Sequence, residues 1–353
     1  MGLTAGSASL ADTITALVEG RSIGSDGAAA ALSGILEGRC PPEQVAGFLV
    51  AMAAKGPTAE ELVGLLDTMT ALAVRLELPA DVHLRAVDVV GTGGDRSGSV
   101  NVSTMAALVV AGAGVPVVKH GSRKASSEVG SADLLEALGV AIAPGPDVVG
   151  RCVEEAGFGF CFAPAFHPAL AVVAPVRVAL GIRTVFNFLG PMANPAQVRY
   201  LLLGVSDAVL HDVLAAVVQR RGVHHALVVR GEDGLDEVSL SGRTRVLDVD
   251  VDRSGTGRTA ERWLDPATYG FATAPVDAIR GGDAAHNAVI CREVLGGATG
   301  AVRDVVVLNA AAALVASNRC DSVDEGLVVA TESLESGAAA RVLDRVVALS
   351  STR

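Results

Sequence analysis

The chain has 353 residues, half of them hydrophobic but only 3% aromatic, and a formal net charge of −11. That length suits one large domain or two, with an ample core of Ala, Val and Leu. The acidic balance argues against nucleic acid or an anionic membrane surface as a general partner.

Up to about residue 80 there is no convincing strand. Apolar residues recur at helical spacing over 10–17 and 26–36. Pro41-Pro42-Glu43-Gln44 opens a helix over 45–54, with proline where a missing N–H matters little. Thr58-Ala59-Glu60-Glu61 is a capping-box variant ahead of a helix over 62–76. This segment reads as a small all-helical domain whose Ala- and Leu-rich faces suit a dimer surface.

From Val87 onward, strands alternate with helices. Residues 87–90 predict a buried strand, 105–113 a helix and 115–118 the next strand. A helix follows over 132–138 with Ser131 placed to cap it, then a helix over 147–156, a strand over 158–163 and helical spacing over 169–180. Gly190-Pro191-Met192-Ala193-Asn194-Pro195 reads as a rigid turn. Strands are expected at 200–205, 226–229 and 246–251, with a helix over 208–220. The C-terminal third reads as covering helices over 283–295, 302–316, 323–334 and 338–349. The expected fold class is therefore α/β, a helical domain beside a larger domain with a mainly parallel sheet covered by helices. The expected division from the pattern alone is 1–80 for the helical domain and the chain from 81 onward for the larger one.

The five cysteines, Cys40, Cys152, Cys161, Cys291 and Cys320, are odd in number and far apart. No C-x-x-C or Cys/His spacing suits zinc, so reduced thiols in a cytoplasmic protein are expected. No secretory leader pattern opens the chain. The uncharged run 97–118 carries Asn101, Ser103, Thr104, Gly112, Gly114 and Pro116, which makes it a poor membrane span.

The chemistry concentrates in residues 87–138. The loop Gly91-Thr92-Gly93-Gly94-Asp95 lets backbone N–H groups approach a ligand without Cβ interference. Ser99, Asn101, Val102, Ser103 and Thr104 lead into a helix start, where free N–H groups favour an anion. Lys119-His120-Gly121-Ser122-Arg123-Lys124 is the densest positive cluster of an acidic chain, and Ala125, Ser126, Ser127 and Ser131 follow it. Backbone donors, hydroxyls and cations meeting at the ends of neighbouring strands equip a site for several phosphates. Arg96 breaks the G-x-G-x-x-G pattern, and no G-x-x-x-x-G-K-[ST] occurs after a strand. Asp236-Glu237, in an acidic loop after a strand end, supply oxygens suited to Mg²⁺. Arg177 lies among Ala, Val and Leu, where a bidentate carboxylate ligand would offset the burial of its charge.

Gly91-Thr92-Gly93-Gly94-Asp95, Asn101-Val102-Ser103-Thr104 and Lys119-His120-Gly121-Ser122-Arg123 closely resemble the signature blocks of the anthranilate phosphoribosyltransferase family, of the nucleoside phosphorylase type. The resemblance covers nearly the whole chain. It implies transfer of a phosphoribosyl group from 5-phosphoribosyl 1-diphosphate to the amine of anthranilate, in tryptophan biosynthesis, with Mg²⁺ as cofactor. It implies that Ser103, Asp236 and Glu237 hold the metal, that Arg177 holds the carboxylate of anthranilate, and that Gly91, His120 and Ser122 also line the acceptor pocket. Lys119 and Arg123, with Arg177, would be the catalytic set. The diphosphate sugar would lie along Gly91, Gly94, Asp95, Ser99, residues 101–104, residues 119–127 and Ser131. The resemblance also implies that middle helices at about 164–190 join residues 1–80, leaving 81–163 with 191–353 to the larger domain. A cytoplasmic homodimer through the helical domain is implied as well, with neither nucleic acid nor membrane as partner. The chain departs from the family pattern in two places. Ser122 stands where the family usually has Asn, and Leu170-Ala171 where it has Met-Lys. Both changes fall on the acceptor side, so a related transferase or nucleoside phosphorylase with another aromatic acceptor, or a catalytically silent paralogue, is the alternative.

Overall fold

The computed structural model describes residues 9–123, 129–252 and 254–351. The chain starts with helices Leu10–Val18, Gly24–Leu36, Pro42–Lys55 and Ala59–Ala71. Ser9 with Asp12, and Thr58 with Glu61, form reciprocal capping boxes at the first and fourth, which satisfies orphan N–H groups at each start. Glu61 is fully buried. It accepts from the N–H groups of Thr58 and Ile23 and from Lys55 Nζ at 2.8 Å, so one carboxylate ties together the ends of three helices. The helix expected over 62–76 stops at Ala71. Beyond it the chain crosses to the sheet, and its N–H groups go elsewhere: Val74 donates to the Phe166 carbonyl at 2.8 Å and Leu76 to that of Pro195 at 3.4 Å.

A seven-stranded sheet follows: β1 Val87–Gly91, β2 Val117–Gly121, β3 Phe158–Phe162, β4 Tyr200–Gly204, β5 His225–Gly231, β6 Thr244–Val251 and β7 Gly257–Leu264. The strand order is β3-β2-β1-β4-β5-β6-β7. The first five are parallel, and β6 and β7 are antiparallel. The chain winds outward from β1 to β3, then restarts at β4 on the other side of β1. That break places a crevice outside the carboxyl ends of β1 and β4, where open α/β sheets bind ligands. Gly91 and Gly204 end those two strands in register.

One face of the sheet is covered by helix Val102–Gly112, buried almost throughout, with Ala301–Ala316 and Ala338–Ser350 behind it. The other face forms a second core with helix Ala208–Arg220, the four N-terminal helices and Val173, Val185, Phe186 and Leu189. All five cysteines are free thiols, and four are buried. No described helix is long and apolar enough to cross a membrane.

Several local expectations need correction. β7 was not anticipated, because its side chains are nearly all exposed and carry no apolar alternation. It is held by its ladder to β6 and by cross-strand ion pairs, Arg245 with Glu261 at 2.8 Å and Arg262 with Asp248 at 3.0 Å. Segment 169–180 divides into a 3₁₀ turn, Pro168–Val172, and helix Ala174–Leu180. Gly190, Pro191 and Met192 do not form a free turn but complete helix Phe186–Met192. Strand β2 runs through Lys119 and His120 to Gly121, so the head of the basic cluster belongs to the sheet.

Candidate active site

Strand β1 ends at Gly91 against the side chain of Asp236, and a Cβ at Gly91 would overlap that carboxylate. Gly93 and Gly94 then take left-handed φ values of 65° and 82°, a conformation open to glycine without strain. The turn aims the Gly93 N–H at Asp236 Oδ2, to which it donates. The Gly93 carbonyl accepts from Arg183 Nη2 at 3.0 Å and from Ser206 Oγ at 2.8 Å. Arg183 also lies 5.2 Å over the Phe188 ring. It therefore holds the loop from outside.

The helix start at Val102 comes next. Asn101 occupies the N-cap position, but its side chain makes no cap bond. It donates instead to the Val129 carbonyl at 2.9 Å and accepts from Asn287 Nδ2 at 3.1 Å. The N–H of Ser103 donates to Glu237 Oε1 at 3.1 Å. The hydroxyl of Thr104 is buried without a partner. Ser99 forms an isolated bridge to Arg280, and Asp95 accepts from the Ser97 N–H at 3.3 Å.

Lys119 is almost completely buried. Its ammonium donates to the Val89 carbonyl and, at 3.3 Å, to Ser103 Oγ. Burial pushes its pKa down, against Asp88, Glu237 and Asp236, which favour the charged form. The two carboxylates answer to the same crowding. Burial, then the charge of Asp95, raises Asp236 to about 6. Burial, then Asp236, raises Glu237 as well. Asp236 and Glu237 thus share one buried corner with Lys119, while Asp95 adds negative charge and Arg183 positive charge from its edge.

His120 is buried, with its Nδ1–H donating to the Gly190 carbonyl at 2.8 Å. Burial, then the neighbouring His167 ring at 5.1 Å, lowers its pKa to about 3, so the ring is neutral. Nε2 is then a lone pair, and it has no partner. A Cβ at Gly121 would strike Ser131 Oγ. Ser131 is the first helical residue after an N-cap at Gly130, not the cap itself, and its hydroxyl donates to the Ser122 carbonyl at 3.4 Å. Arg123 is turned outward onto Asp133 at 3.0 Å and Glu136 at 2.8 Å, over the Phe162 ring. Lys124, Ala125, Ser126 and Ser127 lie outside the described residues. Arg177 stands 5.4 Å over Phe186, and burial lowers its pKa. Among the described residues it has no carboxylate partner.

The structure therefore brings Gly91, Ser103, Lys119, Asp236 and Glu237 into one corner, with His120 beside Lys119 on β2. Arg123 faces away from that corner. Sequence reading missed Ser206 and Asn287, neither of which lies in a glycine-rich or charged stretch that could have flagged it.

Two family models match, the helical bundle domain of a glycosyl transferase family over residues 11–73 and its α/β domain over 83–340. The anthranilate phosphoribosyltransferase of Thermomicrobium roseum is 50% identical over 334 residues, covering 95% of each chain. That of Nocardioides is 49% identical over 342 residues, 96% of this chain and 97% of the relative. Among solved structures, the Thermus thermophilus enzyme superposes with a TM-score of 0.88 at 40% identity, over 97% of this chain and 100% of that one. The Saccharomyces cerevisiae enzyme in complex with PRPP and Mg has a TM-score of 0.87 at 28% identity, over 97% and 98%. By sequence and by fold, the chain belongs to the anthranilate phosphoribosyltransferase family.

Proposed function

We propose that this chain transfers the phosphoribosyl group of 5-phosphoribosyl 1-diphosphate to the amine of anthranilate, a step of tryptophan biosynthesis. The bond from the sugar carbon to the diphosphate breaks with its electron pair leaving on the diphosphate. The amine nitrogen forms the new bond to carbon and gives up a proton. One observation carries the reading: Asp236 and Glu237 sit on the N–H groups of Gly93 and Ser103, beside the buried ammonium of Lys119.

That corner fits Mg²⁺. Its donors are hard oxygens, and a divalent cation would offset the burial and neighbouring negative charge that raise Asp236 and Glu237. Among the described residues no three His, Cys, Asp or Glu side chains are grouped around one point as a metal site. Asp236, Glu237 and the Ser103 hydroxyl would therefore share the ion with water and substrate phosphate, as Mg²⁺ commonly does. When bound, the ion supplies positive charge to the departing diphosphate.

The chain's own groups do the rest. Lys119 adds a buried cation next to Ser103. The loop Gly91, Gly94, Asp95 and Ser99, the helix start 101–104, and residues 119–127 with Ser131 line the diphosphate sugar. Arg177, half-buried without a carboxylate of its own among the described residues, grips the carboxylate of the acceptor beside Gly91, His120 and Ser122. Arg123 contributes its charge on leaving Asp133 and Glu136. Residues 1–80 with about 164–190 act as one lobe and the remainder as the other, closing to exclude water as a competing nucleophile.

The chain works in the cytoplasm as a homodimer through the helical lobe. Exposed Val50, Val172, Val178 and Ile182 on that lobe support the dimer. Ser122 and Ala171 favour a second reading in which a substituted anthranilate is the better acceptor. A steady-state fluorescence assay with phosphoribosyl diphosphate, Mg²⁺ and a panel of aromatic amines tests both readings. Turnover with anthranilate is expected; absence of turnover with every carboxylated amine would refute the function.

A further inference from the structure

The segment that leads from helix Phe186–Met192 back to β4 is read by three histidine rings at intervals of three residues. His120 Nδ1 donates to the Gly190 carbonyl at 2.8 Å, His167 Nε2 to Ala193 at 3.0 Å, and His83 Nε2 to Ala196 at 2.9 Å. In the middle stands Asn194, itself buried. Its amide donates to Asp88 Oδ2 and to the Val118 carbonyl, both at 2.8 Å, and its Oδ1 accepts from the Ala196 N–H at 3.0 Å. Asp88, wholly buried on β1, also accepts from the N–H of His120 at 3.3 Å. A single buried carboxylate thus bonds both the strand that carries Lys119 and His120 and the segment whose carbonyl holds the His120 ring.

Such a group has to serve a purpose, since an ionised carboxylate taken out of water is costly unless its bonds are satisfied. Hydrogen bonds from Asn194 and from the His120 and Val89 N–H groups, with the nearby charge of Lys119, compensate it only in part. Burial, opposed by Lys119, Asn194 and His120, leaves the Asp88 pKa raised to about 6. An apolar residue would fill the position between Val87 and Val89 more cheaply. What Asp88 and Asn194 achieve is a fixed distance between β2 and the 190–196 segment.

We propose that Asp88 and Asn194 are positioning residues: they clasp β2 to the 190–196 segment and so hold the Gly190 carbonyl where it locks His120 in its Nδ1–H tautomer. The locked ring presents Nε2 as a hydrogen-bond acceptor, and that atom is buried with no partner. It suits a donor N–H on the acceptor substrate, a part of the proposal that rests on the transferase reading above. The link between a ring's tautomer and the bond made by its other nitrogen is general.

The test uses the full-length protein labelled with ¹⁵N-histidine. His120 is assigned by the signal lost in His120→Asn. In the wild type its spectrum is expected to show a protonated Nδ1 and an unprotonated Nε2; an Nε2–H tautomer overturns the proposal without any variant. In Asn194→Ala the signal is expected to move to mixed tautomers. The kcat/KM for anthranilate should fall roughly tenfold, with the KM for the sugar diphosphate changed less. A folded Asn194→Ala protein with unchanged His120 shifts and unchanged kinetic constants, altered only in Tm, also overturns it. Asp88→Asn, which keeps one acceptor oxygen for Asn194, should give a smaller change in the same direction. If no aromatic amine turns over at all, the transferase reading fails while the tautomer measurement still decides the clasp.

Discussion

The Glu237 carboxylate accepts a 3.1 Å hydrogen bond from the backbone N–H of Ser103, 134 residues earlier in the chain. A helix start of this kind ordinarily welcomes an anion. Here it already holds one, and Gly93 holds its neighbour Asp236 in the same way. The donors at this corner therefore orient carboxylates, and a diphosphate arriving without a counter-cation would meet like charge.

This arrangement gives opposite signs to stability and activity. Asp236→Asn keeps an oxygen for the Gly93 N–H and removes one charge from the crowded corner. In metal-free buffer the variant is expected to be at least as stable as the wild type. It should lack the rise in Tm that Mg²⁺ is expected to give the wild-type protein through binding to the folded state. With Glu237→Gln added, kcat at limiting Mg²⁺ should fall roughly a hundredfold or more. Wild-type turnover in the double variant, or an unchanged Mg²⁺-induced shift in Tm, would remove both carboxylates from the metal site.

Arg177 leads to a split between the two substrates. Its guanidinium rests on the Phe186 ring, and its pKa is lowered by burial, so a ligand carboxylate would complete an environment that is otherwise unfavourable to charge. Arg177→Ala is expected to raise the KM for anthranilate roughly 10- to 100-fold, the equivalent of one charge-assisted hydrogen-bonded pair. The KM for the sugar diphosphate should change little. Arg177→Lys should recover only part of the loss, because an ammonium lacks the planar fork. A larger effect on the donor than on the acceptor would place Arg177 elsewhere in the reaction.

The helical bundle and the α/β domain with its mainly parallel sheet were legible in the sequence because amphipathic helices and β-branched strands carry their own periodicity. Ala208–Arg220 matches its expected bounds, and Ala301–Ala316 and Val323–Glu335 differ from theirs by one residue at one end. The Gly91–Asp95 loop and Asp236-Glu237 were also visible, since glycines and paired acids are conspicuous in an Ala- and Val-rich chain. What the sequence concealed was of two kinds. The edge strand β7 is stabilised by ion pairs across the ladder, not by a buried face, so its residues read as loop. The contacts of Arg183, Ser206 and Asn194 join segments distant in sequence, and a single Arg, Ser or Asn carries no local sign of which backbone group it will meet.

Arg123 shows that a charge found in a motif need not point where the motif suggests. It is engaged by Glu136 through both terminal nitrogens, at 2.8 and 3.2 Å, and by Asp133 at 3.0 Å. Those side-chain bonds to Glu136, then to Asp133, raise its pKa. Arg123 and Glu136 are solvent-exposed, and exposed ion pairs are weak and screened by salt. Exchange onto a diphosphate is therefore inexpensive. Glu136→Gln should lower the KM for the sugar diphosphate a few-fold at low ionic strength, and the difference should shrink as salt is added. Arg123→Ala should raise the same KM. If neither variant moves it, Arg123 serves only to anchor helix Ser131–Ala137.

The far end of the sheet offers a test of stability against pH. His225 opens β5 and its Nε2 lies 3.0 Å from Asp248 on β6, with both side chains largely buried. Burial works against the imidazolium, but the bond to Asp248, the charge of that residue and smaller contributions from Asn318 and Asp250 outweigh it, so the His225 pKa is raised. The Asp248 pKa is lowered, chiefly by the same bond. The signs follow from linkage. The raised histidine adds stability that is fully present below its unfolded pKa of about 6.5, and that is lost as pH rises through the higher folded value. The lowered carboxylate adds stability present above its unfolded pKa of about 3.9 and lost as pH falls through the lower folded one. The pair should therefore contribute most between about pH 4 and 6.5. His225→Gln is expected to lower Tm in that window and to converge on the wild type once the pH has passed the raised folded value, with turnover unaffected because β5 begins at the end of the sheet away from Lys119. A Tm difference that instead grows as the pH rises into the alkaline range would show that the ring acts by packing and not by its charge.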